Sequence, residues 1–280
     1  MIEPLPDQHA QKQSIIRALF IDTADDNYVL ARFCFHANLD VDFFWLAVHC
    51  LEKYLKAALL CNDRSSRDYG HKIVDLYEDV VPLAPELLPE TLTQPDEMEL
   101  ELWHDERTKD FIARLYSNGQ AANRYQLFGY ALRAEDLLKL DQIVFGVRRL
   151  CQPLEAHFLL VRRRGVPDES KRQRMNRDEG SWRLHAKLEE IMSRKHGETL
   201  QRALLDSNYP FAPKDWVSPP MTYRYSGRDS VLIRRLLDPL RSGPTNFAEV
   251  DKLWNWVKAN IEIPRELRGA IQDELNSKTP

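Results

Sequence analysis

Residues 40–61, DVDFFWLAVHCLEKYLKAALLC, decide the fold class. Apolar side chains recur there at three- and four-residue spacing and form one broad stripe, which consists of Phe44, Ala47, Val48, Leu51, Leu55, Ala58 and Leu59. Such spacing places apolar side chains on one face of an α-helix, where they can pack against a core. We therefore predict a helix from about Asp40 to Cys61.

The same spacing predicts helices along most of the chain. Their approximate ranges are 8–37, 71–81, 98–117, 120–164, 181–206, 228–241 and 246–275. Thr23 and Asp26 resemble a capping box, which would break the first helix near Thr23–Asp25. Gly129 would break the helix over 120–164, and Pro264 would interrupt the last one. Glycine is scarce, with 10 residues in 280. We therefore predict an all-α fold, a helical bundle with a C-terminal helical extension.

The composition is that of a globular protein. Hydrophobic residues make up 43 % and charged residues 29 % of the 280 positions. No stretch approaches 18 uncharged apolar residues, so we expect no membrane span, and the N-terminal residues lack the order of a secretory signal. The four cysteines show no CxxC pairing, and they predict buried, reduced thiols in a cytoplasmic protein. They are Cys34, Cys50, Cys61 and Cys151.

Residues 162–177, RRRGVPDESKRQRMNR, mark a sharp change in charge. They hold seven Lys or Arg residues against two acidic ones, although the whole chain has a net charge of −4. We predict a basic hinge at 162–180 between a helical bundle at 1–161 and a helical region of unknown role at 181–280. The hinge could meet phosphates or could be a solvated connection. Another solvated connection is predicted at 75–106, which is acidic and carries four prolines.

Three phrases in the N-terminal half resemble the HEPN family of nucleotide-binding helical domains. They are DDNYVLARFCF at 25–35, FFWLAVHCLEKYLKAALL at 43–60 and GHKIVDLYEDV at 70–80. The matching residues are Asp26, Tyr28, Ala31, Arg32, Ala47, Glu52, Lys53, Leu55, Lys56, Ala57, His71 and Leu76, and the later phrase NRYQLFGY adds Arg124 and Tyr125. The resemblance covers about residues 20–150. It implies an up-and-down bundle of four or five helices that commonly dimerises.

Positive side chains in these phrases are the predicted binding residues. Glu52 and Lys56 are four residues apart, in the order that favours an ion pair along a helix. Lys53 and His71 would face a shared groove, where a lysine and a helix start together attract phosphate. The predicted nucleotide- or RNA-binding residues are Lys53, Lys56, His71 and Arg124. The alternative is a solvated helix face.

A catalytic alternative follows from the resemblance, because many HEPN proteins are metal-independent ribonucleases. Their motif is an Arg followed, after a few residues, by a His, and the pair supplies a general base and a cation for the phosphorane charge. Arg64 and His71 are the one nominal match among the eight histidines. The family motif usually lies later, near NRYQLFGY, where this chain has an Arg and no His.

The leading prediction is a non-catalytic protein that binds a nucleotide, RNA or a protein partner, and the resemblance suggests a bacterial stress or defence module. The alternatives are the ribonuclease and a structural homodimer scaffold. Phe43, Phe44 and Trp45 also favour a homodimer, because three successive side chains span about 200° of a helix and one core can hardly bury them all. A second surface is therefore predicted, which is either the C-terminal region or another copy of the chain. No cofactor, metal site or membrane partner is predicted.

Overall fold

The structure is a computed structural model that describes residues 8–96, 98, 103–156, 169–178, 183–193, 197–221, 224–242 and 247–277. This part of the chain is mainly helical. The helices are α1 Gln8–Ile16, α2 Asp22–His36, α3 Asp40–Cys61, α4 Ile73–Val80, α5 Thr108–Gly119, α6 Glu135–Arg149, α7 Lys171–Arg177, α8 Lys187–Met192, α9 Glu198–Leu205, α10 Asp238–Ser242, α11 Phe247–Asn260 and α12 Arg265–Ser277. The predicted helical class is confirmed, whereas the up-and-down order implied by the resemblance stays a prediction.

The described residues include four short strands, which form two antiparallel pairs. They are β1 Thr91–Leu92, β2 Glu106–Arg107, β3 Tyr130–Arg133 and β4 Tyr225–Arg228. Strand β1 pairs with β2, and β3 pairs with β4. The prediction of one helix over 120–164 is therefore wrong in its first part, where a 3₁₀ turn and β3 precede α6. The predicted helix over 98–117 begins only at Thr108.

The first helix contains a π-helical turn at Arg17–Ile21, which joins α1 to α2 without a break. The hydroxyl of Thr23 donates to the carbonyl of Leu19 at 2.9 Å, one turn earlier in the same helix. The predicted capping box at Thr23 and Asp26 is therefore wrong, because Thr23 lies inside a helix and caps nothing.

Helix α3 lies at the centre of the main core and begins and ends where the sequence predicts. It contacts α2, α4, α5 and α6. Phe43, Phe44, Leu51 and Leu55 on this helix are all fully buried. The four cysteines are buried and unpaired. Among the described residues, no helix has both the length and the apolar character needed to cross a membrane.

The main core also includes residues that follow the predicted hinge. Leu188, Leu204 and Phe211 pack in it, and Met175 of α7 is buried against it. A second, smaller core holds Leu127, Leu232, Trp254 and Ile271, together with neighbours from α11 and α12. The division of the chain at 162–180 stays a prediction, since residues 157–168 and 179–182 lie outside the described part.

Two buried ion-pair networks join residues 183–208 to the N-terminal helices. Arg148 donates to both oxygens of Asp25 at 2.9 and 3.0 Å and to both oxygens of Glu189 at 2.9 Å. Arg32 pairs with Asp141 and donates to the carbonyl of Ala203 at 2.9 Å. Isolated buried charges are costly, and these networks supply each charge with partners.

The acidic segment over 75–106 is more than a solvated connection. Ala84, Leu87 and Leu92 in it are buried in the main core. Residues Val81–Leu83 and Pro85–Leu87 form short 3₁₀ turns, each with a proline near its start. The segment also supplies Glu106, which accepts hydrogen bonds from Arg114 and Lys139. Residues 97 and 99–102 are not among the described ones.

The predicted helix over 181–206 is two short helices, α8 and α9. Gly197 precedes α9 with a φ of 92°, a conformation that glycine adopts without strain. In the C-terminal region, α11 and α12 end and begin on either side of Pro264, as the sequence predicts.

Candidate functional site

Glu52 is a buried carboxylate with three cationic or imidazole neighbours. It accepts a hydrogen bond from Lys56 at 2.7 Å and lies 3.0 Å from Nδ1 of His71 and 3.6 Å from Nδ1 of His49. Burial on its own would raise the pKa of Glu52, but hydrogen bonds from His49, Lys56 and His71 outweigh it and lower the pKa to about 2. The predicted ion pair between Glu52 and Lys56 is confirmed.

Lys53 and His71 have different partners. The ammonium of Lys53 donates to Oδ1 of Asn27 at 2.6 Å and lies 3.4 Å from the carbonyl of Thr23, both on the first helix. The imidazole of His71 engages Glu52, and its side chain is otherwise largely exposed. These contacts do not test the shared groove of Lys53 and His71, which stays a prediction.

Arg64 and His71, the predicted catalytic pair, also engage separate groups. Arg64 donates from Nη1 to the carbonyl of Asp79 at 3.2 Å, whereas His71 contacts Glu52. The ribonuclease hypothesis stays a prediction of the sequence.

Arg124 lies at the N-terminal end of α3. Its guanidinium carbon is 4.1 Å from the centre of the Trp45 ring, a cation–π distance. Trp45 in turn meets the ring of His49 edge-on, with 4.0 Å between the ring centres. Arg124 is thereby connected, through Trp45 and His49, to the Glu52 cluster that includes Lys56 and His71.

A pocket of about 670 Å³ lies beside the first helix, α7 and residues 183–186. We call it the basic pocket because six of its lining residues carry cationic or imidazole groups, namely His9, Arg17, Lys171, Arg174, Arg183 and His185. Asp178 is the one acidic residue among the described lining residues. The pocket therefore favours anionic ligands.

Lys171 lines this pocket at the start of α7. Within the described part of the chain, no acceptor lies within hydrogen-bonding distance of its ammonium, which is half-buried. Burial lowers the pKa of Lys171, because it penalises the charged form. Burial also raises the pKa of the nearby Cys61 thiol to about 12, so this thiol is neutral at pH 7 and does not balance the charge.

Two unusual backbone features border the basic pocket. The π-helical turn places Arg17 and Ile21 at its wall, and such turns occur frequently at functional sites. His185 has a φ of 54°, a left-handed conformation that is uncommon outside glycine. Arg17 donates to the carbonyl of His185 at 2.8 Å and so holds the two features together.

The sequence indicated only part of this pocket. Lys171 and Arg174 belong to the basic stretch at 162–177, which the sequence suggests could meet phosphates. No comparable signal marks Arg17, on the first helix, or Arg183 and His185, which lie two residues apart in a later segment. Only the fold brings these two segments together. The arginines at 162–164 lie outside the described residues.

Comparison with known protein families, with curated proteins and with solved structures found no match. The resemblance of residues 20–150 to the HEPN family therefore stays a prediction. Among the described residues, no group of three or more His, Cys, Asp or Glu side chains could hold a metal ion.

Proposed function

We propose that the protein binds a phosphate-bearing ligand, such as a nucleotide or RNA, in the basic pocket and performs no chemical step on it. The observation that carries this proposal is the half-buried Lys171 ammonium, which has no acceptor among the described residues and lies in a pocket that is also lined by arginine side chains. Partial burial disfavours the charged form of a lysine, and a phosphate bound beside Lys171 would supply the partner that this ammonium lacks among the described residues.

The surroundings of Lys171 support an anionic ligand. Arginine presents several N–H donors in a planar fork that matches phosphate oxygens, and Arg17, Arg174 and Arg183 all line the pocket. A recess partly removed from solvent also strengthens charge–charge attraction relative to an open surface.

Binding of ATP measured by calorimetry, and of a labelled ten-nucleotide RNA measured by fluorescence anisotropy, tests the proposal. We expect at least one of them to bind with a Kd below about 1 mM, with affinity that falls as salt rises. Lys171→Met keeps most of the length of the side chain and should weaken binding about tenfold.

The matched control is Lys252→Met, which removes the same charge from an exposed position on α11. It should bind as the unmodified protein does. The proposal fails if neither probe binds, or if Lys171→Met binds as tightly as the control while melting at the same temperature.

A further inference from the structure

Another pocket, of about 220 Å³, lies between the end of α2, the turn that follows α9 and residues 219–221. We call it the Ser207 pocket, and it shares none of its described lining residues with the basic pocket. We infer that it binds a small uncharged molecule through a group, such as a carboxamide, that both donates and accepts hydrogen bonds. This inference does not depend on the proposed function.

Ser207 is the buried polar residue that points to a ligand in this pocket. It is 5 % exposed and lines the pocket. Its backbone N–H donates to the hydroxyl oxygen of Ser218 at 2.8 Å, whereas its own hydroxyl has no hydrogen-bond partner among the described residues. Buried hydroxyl groups usually have a partner. A molecule in the pocket would supply one.

The backbone holds Ser207 in a conformation that is uncommon for serine. The N–H of Asn208 donates to the carbonyl of Leu205 at 3.1 Å and closes a turn. Asp206, the second residue of this turn, has a φ of −62° and a ψ of 121°. With a φ of 58°, Ser207 occupies the third position of a type II turn, where glycine or asparagine is favoured. Strained positions of this kind cluster at ligand-binding sites.

His36 supplies a second group for hydrogen bonding. It lines the pocket at the end of α2, and neither of its ring nitrogens has a hydrogen-bond partner among the described residues. Loss of hydration, together with the positive charges of Arg32 and Arg224, outweighs the charge of Asp206 and lowers the pKa of His36 to about 4. The imidazole is therefore neutral at pH 7, with one N–H donor and one acceptor nitrogen.

The other described lining residues favour an uncharged ligand. Arg224 carries a full charge, but Asp40 balances it in an ion pair, and Arg224 also donates to the carbonyl of Phe35 at 2.7 Å. Phe35, Pro219 and Met221 add apolar surface. A charged ligand would lose hydration there without gaining a counter-ion. The volume of about 220 Å³ is below the usual range for drug-sized ligands, roughly 300–1,000 Å³, so the ligand is small.

Three probes of similar shape and different charge test the inference. They are 4-fluorobenzamide, 4-fluorobenzoate and 4-fluorobenzamidinium, and ¹⁹F NMR at pH 7 measures their binding. We expect the amide to bind with a Kd below about 5 mM, which is reasonable for a molecule of this size, and the two ions to bind at least about fivefold more weakly. Absence of binding by the amide, or equal binding of all three probes, would overturn the inference.

Substitution of Ser207 separates a ligand contact from a structural role. Ser207→Ala removes a hydroxyl that has no partner in the described fold, so the melting temperature should stay the same or rise. Binding of the amide should weaken at least about fivefold, and His36→Phe, which keeps a ring of similar size, should weaken it by a similar factor. A lower melting temperature for Ser207→Ala, or unchanged binding of the amide, would overturn the inference.

Ser170→Ala is the matched control. Ser170 is similarly buried, but its hydroxyl accepts from the N–H of Gln173 at 3.3 Å and caps α7. We expect this variant to melt at a lower temperature, because it loses a cap, and to bind the amide as the unmodified protein does. Equal loss of amide binding in Ser170→Ala and Ser207→Ala would place the probe elsewhere and contradict the inference.

Discussion

Arg148 is a buried residue whose guanidinium forms ion pairs with carboxylates on two other helices. It lies on α6 and its guanidinium binds Asp25 on α2 and Glu189 on α8. Asp25 also accepts from the backbone N–H of Leu188 at 3.0 Å and from the hydroxyl of Tyr54. Four helices therefore meet at one buried group of charges.

Replacing Arg148 by methionine should lower the free energy of unfolding by about 3–5 kcal/mol, because Asp25 would be left buried without its counter-ion. Urea unfolding followed by circular dichroism measures the change. Arg172→Met is the control, since Arg172 pairs with Glu86 at a partly exposed site, where an ion pair contributes at most about 1 kcal/mol. If both variants lose the same free energy of unfolding, the buried network contributes no more to stability than the partly exposed ion pair.

Glu52 should make the stability depend on pH in a defined range. Its pKa is about 2 in the folded protein, against 4.5 for an unperturbed glutamate. A lowered pKa means that the stabilisation is fully present above about pH 4.5 and is lost as the pH falls toward 2. Glu52→Gln should cost about 1–3 kcal/mol at pH 7, and the difference from the unmodified protein should shrink between pH 4.5 and 2.

Chemical unfolding at a series of pH values measures that difference. Glu262→Gln, at an exposed position, serves as the control and should show a constant difference over the same range. A constant difference for Glu52→Gln would mean that His49, Lys56 and His71 do not hold its charged form.

The sequence predicts residue contacts that lie within one helix better than those between segments. The ion pair of Glu52 with Lys56 follows from a four-residue spacing alone. The contact of His71 with Glu52 and the stacking of Arg124 on Trp45 depend on how separate segments pack. The same reason limits the candidate site, because Arg17 and Lys171 share a pocket only after the chain has folded.

At the scale of secondary structure, the contact between α3 and α5 depends on one buried glycine. A Cβ atom at Gly119 would lie 2.6 Å from Cγ2 of Val48 and would also clash with the carbonyl oxygen of Phe44. Because that oxygen belongs to the backbone of α3, a rotamer change cannot relieve the clash. The two helices would have to move apart.

Gly119→Ala should therefore destabilise the protein by about 1–3 kcal/mol, the usual range for overpacking. Gly269→Ala is the matched comparison, since Gly269 is exposed in α12 and a Cβ there meets nothing within 4 Å. It should stabilise the protein by about 0.5–1 kcal/mol, as alanine does in an exposed helix. Thermal melts of both variants measure the two shifts, which should have opposite signs.

Helices were predictable where their apolar spacing is regular, as in α3, α11 and α12. The sequence did not predict the pairing of β3 with β4, which joins Tyr130–Arg133 to the distant Tyr225–Arg228. The spacing of apolar residues within one segment does not indicate which distant segment pairs with it. Gly129 was interpreted as a break in a helix. In the structure, a Cβ at Gly129 would lie 2.7 Å from the carbonyl oxygen of Arg228, so glycine permits the close approach of β4.

For the whole molecule, the aromatic residues at the start of α3 have partners within the chain, which leaves the predicted homodimer untested. Phe43 packs on Phe35 with 5.2 Å between ring centres, Phe44 lies 5.9 Å from Tyr130, and Trp45 lies beneath Arg124. Neighbouring elements therefore surround the start of α3 on several sides, and one chain accommodates all three rings. The homodimer itself stays a prediction, and light scattering at micromolar concentration that gives a mass near 32.8 kDa would contradict it.

Cutting the chain tests whether the predicted hinge separates two domains. A specific protease site inserted between Arg164 and Gly165 allows cleavage after folding. We expect the two fragments to elute together in gel filtration, because the Arg148–Glu189 and Arg32–Ala203 contacts and the apolar core join them. They should separate in urea. Separation in plain buffer would show independent domains on either side of the hinge.

The π-helical turn at Arg17–Ile21 sets how α1 is rotated relative to α2 about the axis of the first helix. An α-helix advances about 100° per residue, and a π-turn takes up one extra residue. Upstream of the turn, His9 and Gln13 line the basic pocket, while downstream of it Asp25 and Arg32 are buried in the core. Losing one residue from the turn would rotate the upstream half by about 100° and leave the downstream half in place. Deletion of one codon in the turn would therefore re-aim the pocket-facing half, and it would also turn Ile16 away from the main core.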